Sequence, residues 1–178
     1  MNAAQTVQSQ GILPARAIAR LVDEGAIRIE RPLADDQIQP ASLDLRLGSV
    51  AYRVRASFLP GPAKTVAEKL ESILLHRIDL REGAVLETGC VYIVPLLESL
   101  KLPKNLAAAA NPKSSTGRLD IFTRVITDYA QEFDKAPEAY EGPLYAEISH
   151  ALFPFWRVRD QGFRKSVSAP VPRLPLMR

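Results

Sequence analysis

Apolar residues follow two different periods along the chain, and each change of period marks a predicted element. The first segment, LPARAIARLVDEGAI, places Ile18, Leu21 and Val22 on one face of a helix. Pro14 suits the first turn of this helix, and Gly25 suits its end. The pattern therefore predicts a short amphipathic helix near the start of the chain.

Helical spacing returns once more, over residues 62–76. Val66, Leu70, Ile73 and Leu74 recur at helical intervals, and charged residues lie between them. The pattern predicts a second helix here.

Alternation of apolar and polar residues predicts strands in most of the remaining chain. Leu43, Leu45 and Leu47 lie on one side of a predicted strand, and Asp44 and Arg46 lie on the other. Further short strands are predicted at AVLE, CVYIVPLLE, NLAAAAN, DIFTRVI and PLYAEIS. Many short strands without long helices between them favour an antiparallel sandwich or barrel over a doubly wound sheet.

Length and charge refine this picture. The 178 residues suit one domain with extensions, and the net charge is +3. Residues 151–178 contain six basic residues and one acidic residue, which leaves 17 basic and 19 acidic residues in positions 1–150. We expect a disordered N-terminus over 1–10, a folded domain over 11–153 and an irregular basic tail over 154–178. Because the body is not basic, we expect no nucleic acid partner.

Several protein classes are disfavoured by composition. No segment approaches the roughly 18 uninterrupted apolar residues of a membrane helix, and the N-terminus lacks the features of a secretory signal. Cys90 is the single cysteine, which excludes an internal disulfide framework. We therefore expect a cytoplasmic protein without membrane contact.

The stretch NPKSSTGRLD concentrates cations and hydroxyl groups directly after an apolar run. Phosphate oxygens bind short donors and fixed positive charge, and this segment supplies both. The spacing is not that of a P-loop, and an ordinary polar turn explains the segment equally well. The candidate anion-binding residues are Lys113, Ser114, Ser115, Thr116, Gly117 and Arg118.

Three carboxylates are candidates for chemistry. Glu147 lies in an alternating strand beside Tyr145 and is a candidate general acid and base if it is desolvated. A solvent-facing strand glutamate is the alternative interpretation. Asp128 and Asp134 lie in a predicted loop, either as ordinary turn residues or as ligands for a hydroxyl or amine.

Metal-ligating residues are few. The chain has two histidines, His76 and His150, and one cysteine, without the spacing of a zinc site. We place His76 near the end of the second predicted helix. We expect no zinc and no metal bound by the protein itself.

Four segments together resemble the dCTP deaminase family, which shares a superfamily with dUTPase. They are ILPARAIARLVDEGAI, QIQPASLDLRLGSVAYRV, the run from LETGC through KSSTGRLDIFTRVITD, and YEGPLYAEI. The resemblance implies a mainly β, distorted antiparallel β-barrel of the dUTPase-like or β-clip type, with an N-terminal helix and one further helix. It also implies self-association, because active sites of this family are built between like units that are commonly arranged as trimers.

The resemblance also implies a site. Glu147 matches the catalytic glutamate, which lies five residues after Gly142 in the family's aromatic-x-Gly turn. Asp134 corresponds best to the family's upstream aspartate, with Asp128 as the alternative. The implied substrate-binding residues are Lys113, Ser114, Ser115, Thr116, Gly117, Arg118, Asp134, Tyr145 and Ala146. Lys113 replaces the arginine that usually begins the phosphate motif, which keeps the charge and loses the bidentate fork.

The implied reaction is the deamination of dCTP to dUTP and ammonia, in the supply of dUTP for thymidylate synthesis. Mg²⁺ enters bound to the substrate triphosphate, and no metal activates the water. A dUTP diphosphatase-type hydrolase of the same fold and a non-catalytic nucleotide-binding or assembly unit are the alternatives. Within the family, the chain resembles the N-terminal unit of the long bacterial form, in which two such units occur in tandem. We expect a truncated or altered sequence after about residue 153.

Overall fold

The fold is mainly β and antiparallel with two helices, as predicted. The computed structural model describes residues 11–112, 121–150, 155–158, 173–174 and 176–177. The helices are α1 (Ala15–Asp23) and α2 (Val66–Ile73). The strands are β1 (Ile27–Ile29), β2 (Ile38–Gln39), β3 (Ser42–Asp44), β4 (Val50–Val54), β5 (Leu74–Asp79), β6 (Ala84–Glu87), β7 (Val91–Lys101), β8 (Ala107–Ala109), β9 (Ile121–Thr127), β10 (Lys135–Ala136), β11 (Glu141–His150), β12 (Phe155–Val158), β13 (Arg173–Leu174) and β14 (Leu176–Met177).

A six-stranded sheet organises the molecule around its two longest strands. Its order is β5-β4-β7-β11-β9, and β1 also pairs with β7. Smaller sheets have the orders β10-β8-β14, β12-β6 and β13-β3-β2. These described strands are antiparallel, and they do not close into a single barrel. Since β7 and β11 lie inside the main sheet, each of them pairs with neighbouring strands along both of its edges.

Two apolar clusters cover the opposite faces of the central strands. The larger cluster includes Leu144, Ala146 and Ile148 from β11. The smaller cluster includes Ile93 from β7 and Ile126 from β9. Successive residues of a strand point to opposite faces, so odd-numbered positions of β11 from Tyr145 onward face the smaller cluster.

Parts of the tail that was predicted to be irregular form three short strands. Strand β12 pairs with β6, β13 pairs with β3, and β14 pairs with β8, all antiparallel. The backbone groups of these short strands thus pair with β6, β3 and β8, which belong to the predicted folded domain. The predicted disordered N-terminus, residues 1–10, lies outside the described residues.

Helix α1 ends in a Schellman arrangement at the predicted glycine. Gly25 has a φ of 73°, which favours glycine. Its N–H donates to the carbonyl of Val22 at 3.0 Å, and the N–H of Ala26 donates to the carbonyl of Leu21 at 2.8 Å. At the start of the helix, Pro14 occupies the N-cap position.

Helix α2 is shorter than predicted. It starts with a capping box, in which the Thr65 side chain accepts from the Glu68 N–H and the Glu68 carboxylate accepts from the Thr65 N–H. It ends at Ile73 because Leu74 is extended and pairs with Val54. The placement of His76 at the end of this helix was therefore wrong, since His76 lies on strand β5.

Asp128 fastens α2 to the main sheet. Its Oδ1 accepts a hydrogen bond of 2.7 Å from the N–H of Val66, the first residue of the helix. Its own N–H donates to the Tyr140 hydroxyl, which in turn donates to the carbonyl of Pro143. Oδ1 of Asp128, which the sequence proposed as a possible ligand residue, thus takes part in a structural hydrogen bond.

Arg46 is buried, whereas the alternation placed it on the polar side of a strand. Strand β3 ends at Asp44, and the Arg46 side chain pairs with Glu98, which is 0% exposed. Glu98 Oε1 accepts from Arg46 Nε and from Gln37 Nε2, each at 2.8 Å, and Oε2 accepts from the Arg46 N–H at 2.7 Å. The remaining guanidinium nitrogens donate to the carbonyls of Pro32 and Arg31. This network joins residues 31–46 to β7.

Replacing Glu98 by alanine tests the energetic role of this network. Because Glu98→Ala leaves the Arg46 charge buried without its carboxylate, we expect the free energy of unfolding to fall by about 3–5 kcal/mol. Chemical denaturation measures this change. Glu141→Gln is the matched control, since Glu141 pairs with Arg28 at the exposed surface, and we expect little change there. If the free energy of unfolding fell equally in the two variants, the stabilising role of the Glu98 network would be contradicted.

Replacing Asp128 by asparagine tests its anchoring role through pH. Burial raises the pKa of Asp128 above 3.8, so the folded chain binds this proton more tightly than the unfolded chain does. The stability that comes from binding this proton is fully present below pH 3.8, and it is lost as the pH rises through the pKa of Asp128 in the folded chain. Asparagine keeps an oxygen for the Val66 N–H and does not titrate. We therefore expect Asp128→Asn to gain stability relative to wild type between about pH 3 and about pH 7.

Denaturation curves at the two pH values measure this gain, and Asp128→Ala supplies the control. Alanine removes the acceptor, so it should cost about 1 kcal/mol. A difference between the Asn variant and wild type that does not depend on pH would contradict the prediction.

Candidate active site

Glu147 is a buried carboxylate on the central strand β11. It is 2% exposed and faces the smaller apolar cluster, opposite Arg124 of β9 and Ile93 of β7. Its Oε1 accepts from both Nε of Arg124, at 3.1 Å, and Nη2 of Arg124. Its Oε2 is buried and has no hydrogen-bond partner within the part of the chain that the structure describes. The solvent-facing alternative for this glutamate is thus wrong.

Arg124 links Glu147 to two other segments. Its Nη2 also donates to the Ser57 hydroxyl at 2.9 Å. Its Cζ lies 3.8 Å from the centroid of the Phe133 ring, which is a cation–π contact. The Arg124 side chain is 41% exposed, so the guanidinium joins the buried carboxylate to the surface.

Asp134 lies close to this ion pair. Its Oδ1 accepts from the N–H of Val125 at 2.7 Å, and its own N–H donates to the carbonyl of Val125 at 2.8 Å. Burial raises the pKa of Asp134, the hydrogen bond from Val125 and the charge of Arg124 oppose the rise, and the charge of Glu147 adds to it. Asp134, Arg124 and Glu147 therefore form one electrostatic cluster.

Asp128 belongs to another neighbourhood. Its carboxylate holds the start of α2, as described above. Tyr145 lies between the two regions, because it shares a face of β11 with Glu147 and packs on the smaller cluster. Burial, followed by the charges of Asp128 and Tyr52, raises the pKa of Tyr145 to about 12.

The other predicted binding residues are not brought to this cluster. Ala146 is fully buried on the opposite face of β11, where it packs in the larger cluster. The phosphate-motif residues Lys113, Ser114, Ser115, Thr116, Gly117 and Arg118 lie outside the described residues.

A cavity of about 620 Å³ lies beside the loop that contains Asp134. It is lined by 107–109, 127–132 and 135–141. Glu141 and Asp128 are among its lining residues, and Glu147 is not. We centre the candidate site on Glu147 because one oxygen of this buried carboxylate has no partner in the described part of the chain, whereas the cavity is mostly apolar.

Two further properties concern the described residues as a whole. Over 11–112 and 121–149, no three His, Cys, Asp or Glu side chains lie close enough to hold a metal ion. No helix in the described part of the chain is long and apolar enough to cross a membrane.

Sequence reasoning missed Arg124, Ser57 and Phe133. The available signal was an arginine in the middle of the alternating segment DIFTRVI, since a cation there needs a partner. Pairing this segment with PLYAEIS places Arg124 opposite Glu147 in only one register. That register is a property of the folded sheet and is not visible in either segment alone.

Comparisons with known proteins identify the family. A family model described as 2'-deoxycytidine 5'-triphosphate deaminase (DCD) N-terminal domain matches residues 9–165. The dCTP deaminase of Mannheimia succiniciproducens is 28% identical over 185 residues, which cover 88% of this chain and 94% of the relative. The protein named dCTP deaminase, dUMP-forming, of Dictyoglomus thermophilum is 30% identical over 171 residues, which cover 89% of this chain and 82% of the relative.

A solved structure supports the same assignment. The 2'-deoxycytidine 5'-triphosphate deaminase of Agrobacterium tumefaciens superposes with a TM-score of 0.87 and is 56% identical in sequence. The match covers 95% of this chain and 48% of that protein, so this chain spans about half the length of the solved structure. The chain belongs to the dCTP deaminase family.

Proposed function

We propose that this chain catalyses the hydrolytic deamination of dCTP to dUTP and ammonia, with Glu147 as the acid–base group. The observation that carries the proposal is a glutamate on β11 that is 2% exposed and whose buried Oε2 has no partner among the residues that the structure describes. Most buried polar atoms have partners, and an exception requires an explanation. A reacting water molecule beside Oε2 supplies that explanation, and family membership supplies the substrate.

In the proposed reaction, Oε2 of Glu147 takes a proton from a water molecule as the water oxygen bonds to C4 of cytosine. Glu147 passes this proton to N3, which gives a tetrahedral intermediate. The proton of the new hydroxyl group then moves through Glu147 to the amino nitrogen. The bond between C4 and nitrogen breaks, ammonia leaves, and the uracil keeps its proton on N3. Acid–base catalysis of this kind contributes about 10²–10⁴-fold to a rate.

We assign the triphosphate to the segment KSSTGR. Hydroxyl groups, backbone amides and cationic side chains are the donors that phosphate oxygens bind. The substrate in this proposal is the Mg²⁺ complex of dCTP, with the cation held between phosphate oxygens rather than by protein carboxylates. No zinc ion takes part. The residues assigned to the triphosphate are Lys113, Ser114, Ser115, Thr116, Gly117 and Arg118.

For the sugar and base we assign Asp134 in preference to Asp128. Asp134 interacts electrostatically with Glu147 and Arg124, whereas Asp128 binds the first N–H of α2. Since Oδ1 of Asp134 accepts from the backbone, Oδ2 is the oxygen assigned to the ligand. Tyr145 shares the face of Glu147 and would border the base. The side chain of Ala146 lies on the other face, so we assign Ala146 to the site only as the residue between Tyr145 and Glu147 on β11.

We also propose that a like unit completes the site. Strand β9, which supplies Arg124, lies at an edge of the main sheet, and its Phe122 side chain is 62% exposed. Edge strands and exposed aromatic side chains are typical of surfaces that another chain covers. Light scattering measures the molar mass in solution, and we expect an oligomer. A monomer that retains full activity would contradict this part of the proposal.

A second candidate function is release of dUMP instead of dUTP. The name of the Dictyoglomus thermophilum relative, dCTP deaminase, dUMP-forming, is the observation that favours it. Formation of dUMP requires a second hydrolysis, at the α-phosphate, which releases pyrophosphate. Pyrophosphate in equal amount to ammonia would support this candidate, whereas ammonia without pyrophosphate supports formation of dUTP.

Replacing Glu147 by glutamine tests the proposed reaction. Glutamine has nearly the same shape and cannot take up a proton from water, so we expect ammonia release to fall by about 10²–10⁴-fold. Binding of dCTP should remain. Ammonia release from dCTP with Mg²⁺ measures the rate, and isothermal titration calorimetry measures the binding.

Glu141→Gln is the matched control on the same strand. Glu141 is an exposed glutamate that pairs with Arg28 and Lys101, and we expect its replacement to leave ammonia release near the wild-type rate. Binding of dCTP without turnover, unchanged by Glu147→Gln, would indicate a nucleotide-binding unit and contradict the proposal.

A further inference from the structure

The two oxygens of the Glu147 carboxylate have different surroundings. Oε1 accepts two hydrogen bonds from Arg124, whereas Oε2 has no partner among the described residues. A buried carboxylate oxygen without a partner is energetically unfavourable. This asymmetry distinguishes an oxygen that is held from an oxygen that remains available.

Arg124 is itself fixed from three directions. Its Nε and Nη2 bind Glu147, Nη2 also binds the Ser57 hydroxyl, and the guanidinium lies over the Phe133 ring. A planar guanidinium with several fixed contacts holds a carboxylate in one orientation better than a lysine ammonium does. The contacts with Ser57 and Phe133 therefore fix the rotation of the Glu147 carboxylate indirectly.

We propose that Arg124 is a positioning residue, which holds Oε1 and leaves Oε2 of Glu147 as the oxygen that exchanges protons with the reacting water. This inference rests on the deamination proposed above. The positive charge of Arg124 lies directly against Oε1, so its removal would disfavour the charged form of this carboxylate. Arg124 itself does not transfer protons, because a guanidinium stays protonated in proteins.

Other charged and titratable groups share this face and contribute to its field. Asp134, from the loop after β9, opposes the effect of Arg124 through its negative charge. Tyr145 lies two residues along β11, and Tyr52 of β4 lies opposite Ile93, the residue that pairs with Glu147. Arg77 of β5 lies over the Tyr52 ring at 5.3 Å. Of these groups, Arg124 has the direct hydrogen bonds to Glu147.

Two arginine variants test the inference. Arg124→Met removes the charge and keeps much of the length, so the acid side of the pH profile of kcat/KM should move to higher pH by about 1–3 units. Arg124→Lys keeps the charge without the planar fork, so its profile should stay near that of wild type while kcat falls. The matched control is Arg53→Met on β4, whose partner is Glu87 at the surface. We expect its pH profile to be unchanged.

Infrared difference spectroscopy gives a readout that does not require turnover. The spectrum of each chain minus that of the same chain with Glu147→Gln isolates the carboxyl band of Glu147. In wild type at neutral pH we expect the ionised band. In Arg124→Met we expect the protonated band to persist to higher pH. An unchanged band together with an unchanged pH profile would overturn the inference.

The two proposals fail in different ways. A wild-type chain that releases no ammonia from dCTP overturns the proposed function, whereas the infrared comparison decides the role of Arg124 by itself. If Arg124→Met does not fold, the double variant Arg124→Met, Glu147→Gln removes both charges. If the double variant folds, the result supports the pairing of Arg124 with Glu147. If it does not fold, Arg124 acts through its packing in the fold, and the inference is overturned.

Discussion

The register between β9 and β11 is the constraint on which the candidate site depends. It places Arg124 opposite Glu147 on the face that carries the smaller apolar cluster. A shift of one residue would turn Glu147 into the larger cluster, between the positions of Ala146 and Ile148, where a charged side chain would lie among apolar ones. Burial of both faces of β11 therefore specifies the register, and the register brings the ion pair together.

Two buried glutamates in this fold show how similar ion pairs serve different purposes. Glu98 has partners on both oxygens, and its arginine, Arg46, is almost completely buried and binds two carbonyls as well. Within the described ranges Glu147 has partners on one oxygen, and its arginine, Arg124, is 41% exposed. A saturated pair in the interior fixes the fold. An unsaturated pair that extends to the surface leaves an atom available to a ligand, which favours a structural role for Glu98 and a chemical role for Glu147.

Local features of the fold could be predicted from the sequence, and non-local ones could not. The capping glycine Gly25 and most strands follow from residue type and spacing, which act over a few neighbouring residues. The burial of Arg46, the strand that contains His76, and the partner of Glu147 depend on contacts between distant segments. The alternating strand made Glu147 a candidate and the resemblance to a family gave it a role, whereas Arg124 could be found only from the pairing of the sheet.

The connector between β9 and β11 contains three residues in an unusual backbone conformation. Tyr129, Asp134 and Ala139 all have φ values near +60°, a conformation that costs non-glycine residues about 1–3 kcal/mol each. Asp134 is held there by the two hydrogen bonds with Val125 and by the N–H of Ala110, which donates to its carbonyl. This conformation also carries the adjacent Phe133 onto the Arg124 guanidinium. The unfavourable backbone conformation of Asp134 thus occurs at the residue that brings its own carboxylate and the Phe133 ring to the Arg124–Glu147 pair. This coincidence favours a functional reason for the conformation of the loop.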